Sequence, residues 1–525
     1  MFKRKMTTFI VVCSLGLALI VGGCAPPATE TPPVTVVLLA QIPTPPITPA
    51  GAQSPPLPLT ATIVPTPTPV PLRLPTYEGV PTPDPPRVVN AGTGGELTTH
   101  EVTVGETLGY IAAAYGTTVE ALMDLNGLGE ADLLYVGQAL QVPGAPAIIA
   151  PNTKLIPDSE LVYGPGARDF SLVGTLTRFN GFLPYYSEDV EGELLTGPKI
   201  VQLVADRFRV NPRLLLAVLE YRSGWVTQRT VTQPQTPMGY GKAGYEGLYR
   251  QLSWAANLLN WGYYGTQEGG LHSFTLADGT RVGFAGDVNA GTIGIQLLFG
   301  SGETATYESW LRDIGPQGFF SVYQRLFGNP FAYTVDPLWP PDLAQPALRL
   351  PWAAGETWYF TGGPHGGWAS GSAWAALDFV PTSEQLGCYP SDAWVRAMAD
   401  GVVARADKGA VVLDLDGDGY VGTGWAIHYM HVESRERVNA GIFVHAGDPL
   451  GHPSCEGGFS NGTHVHIART YNGRWVSADG PIPFDLGGWS SRGLGREYDG
   501  LLTRGDDVRE ACECRESTNA ITAEP

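Results

Sequence analysis

The chain has 525 residues with 67 Gly, 45 Pro and 16% charged side chains, a composition too long and too loop-rich for one compact domain and suited to about three. Its formal net charge is −19 at pH 7. Such a surface repels phosphate backbones, which argues against a nucleic-acid partner.

In chain order, the basic residues Lys3, Arg4 and Lys5 precede an apolar run from Phe9 to Val21 that ends in Val21-Gly22-Gly23-Cys24. The run is short for a bilayer span and reads as a signal peptide over residues 1–23. The small residues before Cys24 resemble a bacterial lipobox. That resemblance implies a lipidated Cys24, attachment to the membrane through the lipid, and an exported location at the outer face of the cytoplasmic membrane or in the cell envelope. Residues 24–95 form a Pro/Thr-rich linker; 20 of the 45 prolines fall in residues 26–86, which cannot bury a core. As polyproline II that stretch would reach about 190 Å at about 3.1 Å per residue.

Over residues 98–144 the pattern predicts a strand (His100 to Val104), two short helices and a closing strand (Ala139 to Val142). Thr117 and Glu120 have capping-box spacing, Val119, Leu122 and Leu125 supply an apolar face, and Asn126-Gly127 ends the second helix. The segment resembles a lysin motif (LysM), a βααβ module. The resemblance implies binding to N-acetylglucosamine-containing glycan of peptidoglycan through Gly105 and Thr107 in one loop and Asn126, Gly127 and Leu128 in the other.

Residues 150–345 predict a mainly helical middle domain, with helices around Lys199 to Arg207, Pro212 to Tyr221 and Tyr249 to Trp261. Asn211 is an N-cap before Pro212, so Glu220 falls in the last turn of its helix after an apolar run, where desolvation and the helix end favour a general acid. That helix, with Asn289-Ala290-Gly291 and Gly294-Ile295-Gln296, is weakly similar to lysozyme-like lytic transglycosylases. A lysozyme-like middle domain with Glu220 as a catalytic acid is therefore one reading, and an ordinary surface glutamate is the other.

Seven of the nine histidines lie between His365 and His466, in a stretch that reads as an antiparallel sheet. In Thr463-His464-Val465-His466-Ile467 the two imidazoles share a strand face, so one can hold a metal while the other handles protons. His365 and Asp378 add an imidazole and a carboxylate, and two His with one Asp around an open position suit a catalytic zinc. Ala376-Leu377-Asp378-Phe379, Tyr429-Met430-His431, Ala446-Gly447-Asp448-Pro449-Leu450-Gly451 and Asn461-Gly462-Thr463-His464-Val465-His466 occur in the order found in lysostaphin-type zinc endopeptidases. By that resemblance residues 350–490 are a C-terminal antiparallel β-sheet peptidase domain that cleaves cell-wall cross-link peptides. His365, Asp378 and His466 would be its zinc ligands, and His431 and His464 its catalytic histidines. The sequence departs from the family's H-x-x-x-D spacing, since His365 and Asp378 are 13 apart.

Three further features have plainer readings. Asp414-Leu415-Asp416-Gly417-Asp418-Gly419 begins like a calcium loop but has Trp425 at its twelfth position, so it reads as a hairpin turn. His428, three residues from His431, points to the opposite sheet face, and His445 and His452, in glycine-rich turns, read as non-ligands. Cys388, Cys455, Cys512 and Cys514 allow three pairings; Cys388 with Cys455 is preferred because both lie in loops of the histidine-rich domain. Residues 491–525 read as an acidic tail. The chain is thus expected to be a multidomain, surface-anchored zinc peptidoglycan hydrolase. The alternatives are a non-catalytic wall-binding scaffold or activator of other hydrolases, and a bifunctional enzyme with a glycan-cleaving middle domain.

Overall fold

The computed structural model describes residues 97–102, 107–115, 117–129, 134–143, 148–268 and 271–524. The expected signal peptide, Cys24, the proline-rich linker and Gly105 lie outside the described residues. No helix among the described residues is long and apolar enough to cross a membrane.

The first module is β1 (Leu97–Glu101), α1 (Leu108–Ala114), α2 (Val119–Asn126) and β2 (Ala139–Pro143), with β1 and β2 antiparallel. It closes on its own small core of Val102, Leu108, Ile111, Ala112, Leu122, Leu140 and Val142. Its second helix starts one residue later than the capping box predicts. Thr118, not Thr117, is the N-cap and accepts from Ala121 N at 3.1 Å; of the expected apolar face Leu122 is buried, whereas Leu125 is 37% exposed.

The middle region is mainly helical and centres on α3 (Gly197–Phe208), α4 (Pro212–Ser223), α5 (Leu248–Gln267), α6 (Ala290–Gly300) and α7 (Phe319–Phe327). Asn211 caps α4 by accepting from Arg213 N, and Pro212 occupies the first turn, where its missing N–H costs nothing. From Leu214 to Leu219 every side chain of α4 is buried, as expected of a helix threaded through a core.

The C-terminal region is built on a nine-stranded antiparallel sheet. Its strands are β3 (Thr357–His365), β4 (Ala376–Pro381), β5 (Gly401–Asp407), β6 (Ala410–Asp414), β7 (Trp425–Met430), β8 (Phe443–Val444), β9 (Val465–Tyr471), β10 (Arg474–Trp475) and β11 (Ala520–Thr522). They run in the order β8-β5-β6-β7-β9-β4-β3-β11, with β10 on β9. Residues 491–525 are not a free tail. Trp489–Gly493, Gly500–Arg504 and Asp507–Glu510 form strands of a second sheet, and β11 extends the main one beside β3.

Alternation along the strands divides the main sheet into two faces. Leu377, Phe379, Ile427, Tyr429, Val465 and Ile467 face one core, shared with Trp358, Phe360 and Trp489. Ala376, Met430 and Ala468 face the other way and join Trp368 and Trp475 in a core continuous with the middle helices. One face of the main sheet is therefore partly roofed by the middle region.

Candidate metal centre and its cleft

Strand register assembles the site. His466 on β9 lies directly opposite Asp378 on β4, and Asp378 lies opposite Gly362 on β3. The register of β3 shifts between Phe360 and His365, and residues 366–375 loop out before β4 returns. This loop absorbs the 13-residue separation of His365 and Asp378. A Cβ at Gly362 would stand 2.6 Å from Asp378 Oδ2, so the carboxylate needs a glycine there.

His365 Nε2 and His466 Nδ1 are 3.0 Å apart, and each lies 3.4 Å from Asp378 Oδ1. The three residues are buried, at 3%, 7% and 9% exposure. The other ring nitrogens fix the tautomers: His365 Nδ1 contacts Gly363 O at 2.8 Å and His466 Nε2 contacts Gly367 O at 3.1 Å. A carbonyl only accepts, so those nitrogens carry the protons and the two facing nitrogens present lone pairs. Asp378 Oδ1 is buried without a hydrogen-bond donor among the described residues. Three acceptors thus converge, with edges close to the about 3.3 Å that a tetrahedral ion with bonds of about 2.0 Å requires. Two imidazoles and one carboxylate suit zinc.

Charge divides the two imidazoles: burial would lower His365, but the Asp378 carboxylate outweighs it and shifts His365 up, toward a proton that a metal ion would replace. Burial would raise the Asp378 carboxyl, but His365 and His464 outweigh it and hold it well below the usual carboxylate range. Burial pushes His466 down, toward the neutral form that a ligand needs. His431 is also held well below the ordinary histidine range by burial and by His464 and His466.

His431 and His464 sit beside the three converging groups, with ring centroids 4.4 Å apart. His431 Nδ1 donates to Glu456 O at 2.9 Å and His464 Nδ1 donates to Gly462 O at 2.7 Å, which leaves both Nε2 atoms as acceptors. His464 Nε2 is 3.7 Å from Asp378 Oδ1. His431 has φ of 62°, just beyond the end of β7. This explains one correction. His428 does not point to the opposite face, because counting three residues to His431 crosses the strand end; it lies on the His466 face, where Thr470 Oγ1 bonds it at 3.1 Å and Trp475 packs against it. His452 is taken up by Ala393 O and Glu436, and His445 lies by Asp400.

A cleft of about 900 Å³ opens over these groups, lined among others by Trp368, Leu386, Phe459 and Tyr498. Cys388 and Cys455 are bridged, with Cα atoms 5.8 Å apart, and tie together the loops that carry Leu386 and Phe459. Cys512 and Cys514 are bridged as well. Tyr498, which sequence reasoning passes over, stacks on His365 at 4.2 Å from the supposed tail; no local spacing signals a partner 133 residues away. A larger cavity of about 1070 Å³ lies elsewhere, among Asp158, Tyr263, His272, Asp336 and Arg474, and holds no converging ligand set among the described residues.

The looped-out segment 366–375 is held from the middle region. Gly371 N donates to Asn257 Oδ1 at 2.7 Å, Asn257 Nδ2 donates to Ser370 Oγ at 3.2 Å, and the Arg207 guanidinium lies over the Trp368 ring at 4.7 Å. Asn257→Ala would leave the Gly371 N–H without its acceptor in a buried place. A loss of about 1–3 kcal/mol is expected, read as a lower thermal unfolding midpoint of the full-length protein. An unchanged midpoint would show that this contact does not support the loop.

Two other expected sites look different. Glu220 is buried, but its carboxylate accepts from Val226 N at 3.0 Å, Thr227 N at 3.1 Å and Thr227 Oγ1 at 2.6 Å, with Arg325 at 3.5 Å. In place of the apolar setting expected for a general acid, it closes the turn after its own helix and lines neither cavity. In the first module Asn126 joins α2 to β2, donating to Gln141 O and accepting from Gln141 N, while Leu128 packs against the core. Gly127 is an exposed left-handed C-cap, and the carbonyl of Thr107, also exposed, accepts from Ile111 N.

Comparison with known proteins now bears on this arrangement. Residues 100–143 match the LysM domain family, and residues 154–340, for which the sequence offers a lysozyme-like reading, match the family described as LasA, N-terminal domain. Over 295 residues the chain is 27% identical to Protease LasA of Pseudomonas aeruginosa, an alignment covering 52% of this chain and 66% of that protein. The chain carries a LysM domain and is similar to the protease LasA. It is also 43% identical over 58 residues to N-acetylmuramoyl-L-alanine amidase sle1 of Staphylococcus epidermidis, covering 11% of this chain and 18% of that one. Among solved structures, the M23 metalloprotease pseudoalterin, from the deep sea, is 28% identical over 32% of this chain and 96% of its own, with a TM-score of 0.27. The LasA-like alignment thus spans just under two thirds of the relative's length.

Proposed function

We propose that the chain is an exported, cell-wall-targeted zinc endopeptidase that cleaves peptide cross-links of peptidoglycan. It would dock on glycan through its LysM domain and be held at the envelope by lipid on Cys24. The observation that carries this reading is the convergence of His365 Nε2, His466 Nδ1 and Asp378 Oδ1, three acceptors within 3.0–3.4 Å of one another and without a donor between them. Zinc held there would supply Lewis-acid polarisation of the scissile carbonyl. The chain's own groups do the rest. His431, neutral through burial, offers Nε2 as a base, and His464, whose Nε2 stands 3.7 Å from Asp378 Oδ1, would steady charge that develops on the carbonyl oxygen when Nε2 also carries a proton. Leu386, Phe459 and Tyr498 give the cleft an apolar rim that would seat an extended peptide.

The purified full-length protein is expected to contain about one zinc per chain and to release cross-link fragments from peptidoglycan, with the cut at a peptide bond by mass spectrometry. A chelator should abolish release and added zinc restore it. Release of fragments cut only in the glycan, or release indifferent to chelation, would overturn the reading.

A further inference from the structure

The loop between β6 and β7 carries carboxylates at alternate positions, Asp414, Asp416 and Asp418. Its hydrogen bonds account for its shape: Leu415 N donates to Trp425 O at 3.0 Å and Gly419 N donates to Asp414 Oδ2 at 2.8 Å. They do not account for its charge. Asp414 is 0% exposed, and its Oδ1 is buried without a hydrogen-bond donor among the described residues. One ligand oxygen from each of the three aspartates lies within 4.8 Å of the others. Arg168 sits 2.6 Å from Asp418, which also accepts from Tyr420 N and Thr423 Oγ1, while the Asp416 carboxylate lies beside Asp414 in the same cluster.

We propose that this loop is a calcium site, with Asp414, Asp416 and Asp418 as its carboxylate ligands. The donor set is all oxygen, with neither nitrogen nor sulfur, which favours a hard cation over zinc. The buried, unpaired Asp414 Oδ1 is the group that an ion would satisfy. With Trp425 where a bidentate glutamate would complete the coordination, binding belongs in the weak range of extracellular modules, Kd about 10⁻⁴–10⁻³ M. The loop also meets the middle region: Arg168 pairs with Asp418, Tyr420 Oη donates to Gly164 O at 2.8 Å and Arg209 donates to Val421 O at 3.2 Å. Calcium there would tighten the seam between the two regions.

The test is calcium chloride titrated into the purified full-length protein, followed by calorimetry and by the thermal unfolding midpoint. Saturable uptake of about one ion per chain with a rising midpoint is expected. Asp416→Asn, at an exposed position that spares the fold, should weaken binding about tenfold or more and remove the rise; Asp414→Asn should do the same if it folds. His466→Ala should bind calcium as the wild type does. Absence of saturable binding up to about 10 mM calcium, undiminished binding by Asp416→Asn, or loss of calcium binding in His466→Ala would each overturn the proposal, the last by placing the ion among the histidines.

Discussion

Replacing His466 by alanine is expected to take zinc from about one per chain to nearly none and to cut peptidoglycan cleavage by more than about 100-fold, beyond the 10- to 100-fold typical of losing a group that only supports a ligand. His466 faces Asp378 across the strand pair, its Nε2 is tied to Gly367 O, and its Nδ1 meets His365 Nε2 at 3.0 Å. Without it one imidazole and one carboxylate remain, too few to hold the ion. Metal analysis of the folded variant beside a cleavage assay decides the matter. Zinc at wild-type stoichiometry in His466→Ala would remove this ligand assignment, whatever became of the activity.

His464→Ala should separate binding from chemistry. Zinc is expected to stay and cleavage to fall about 10²- to 10⁴-fold, since the imidazole lost serves the transition state. His464 Nε2 stands farther from Asp378 Oδ1 than the Nδ1 of His466 does, 3.7 Å against 3.4 Å, and its Nδ1 is committed to Gly462 O. Zinc departing with His464 would mean that the two histidines have exchanged roles. Full cleavage by a zinc-loaded variant would remove His464 from the chemistry.

The strands and helices that carry these groups were legible because their signals are local. Alternation marks β7 and β9, the Asn211-Pro212 pair marks the start of α4, and the LysM pattern marks its own module. What escaped depends on contacts distant in sequence. The strands after residue 490 read as a tail because their acidic, glycine-rich composition hides the pairing of residues 520–522 with β3, and Tyr498 reaches His365 because its backbone bonds Gly363 N and Pro364 O, neither of which local spacing signals. Parity along a strand misplaced His428, because His431 leaves the strand with a left-handed backbone. Glu220 followed an apolar run as a general acid would, yet its partners, Val226 and Thr227, lie in a turn whose course the helix pattern does not specify.

The core that runs from α4 and α5 through Trp368 and Trp475 to the underside of β7 and β9 sets where this chain can be cut and recombined. The LysM module closes on its own residues and could be exchanged for another binding module at a junction before residue 148. A junction near residue 345 would behave otherwise: it would expose Ala376, Met430, Ala468 and Trp475 to water and free the loop beside the metal ligands. In evolution as in engineering, the helical region and the sheet should therefore travel as one inheritable unit.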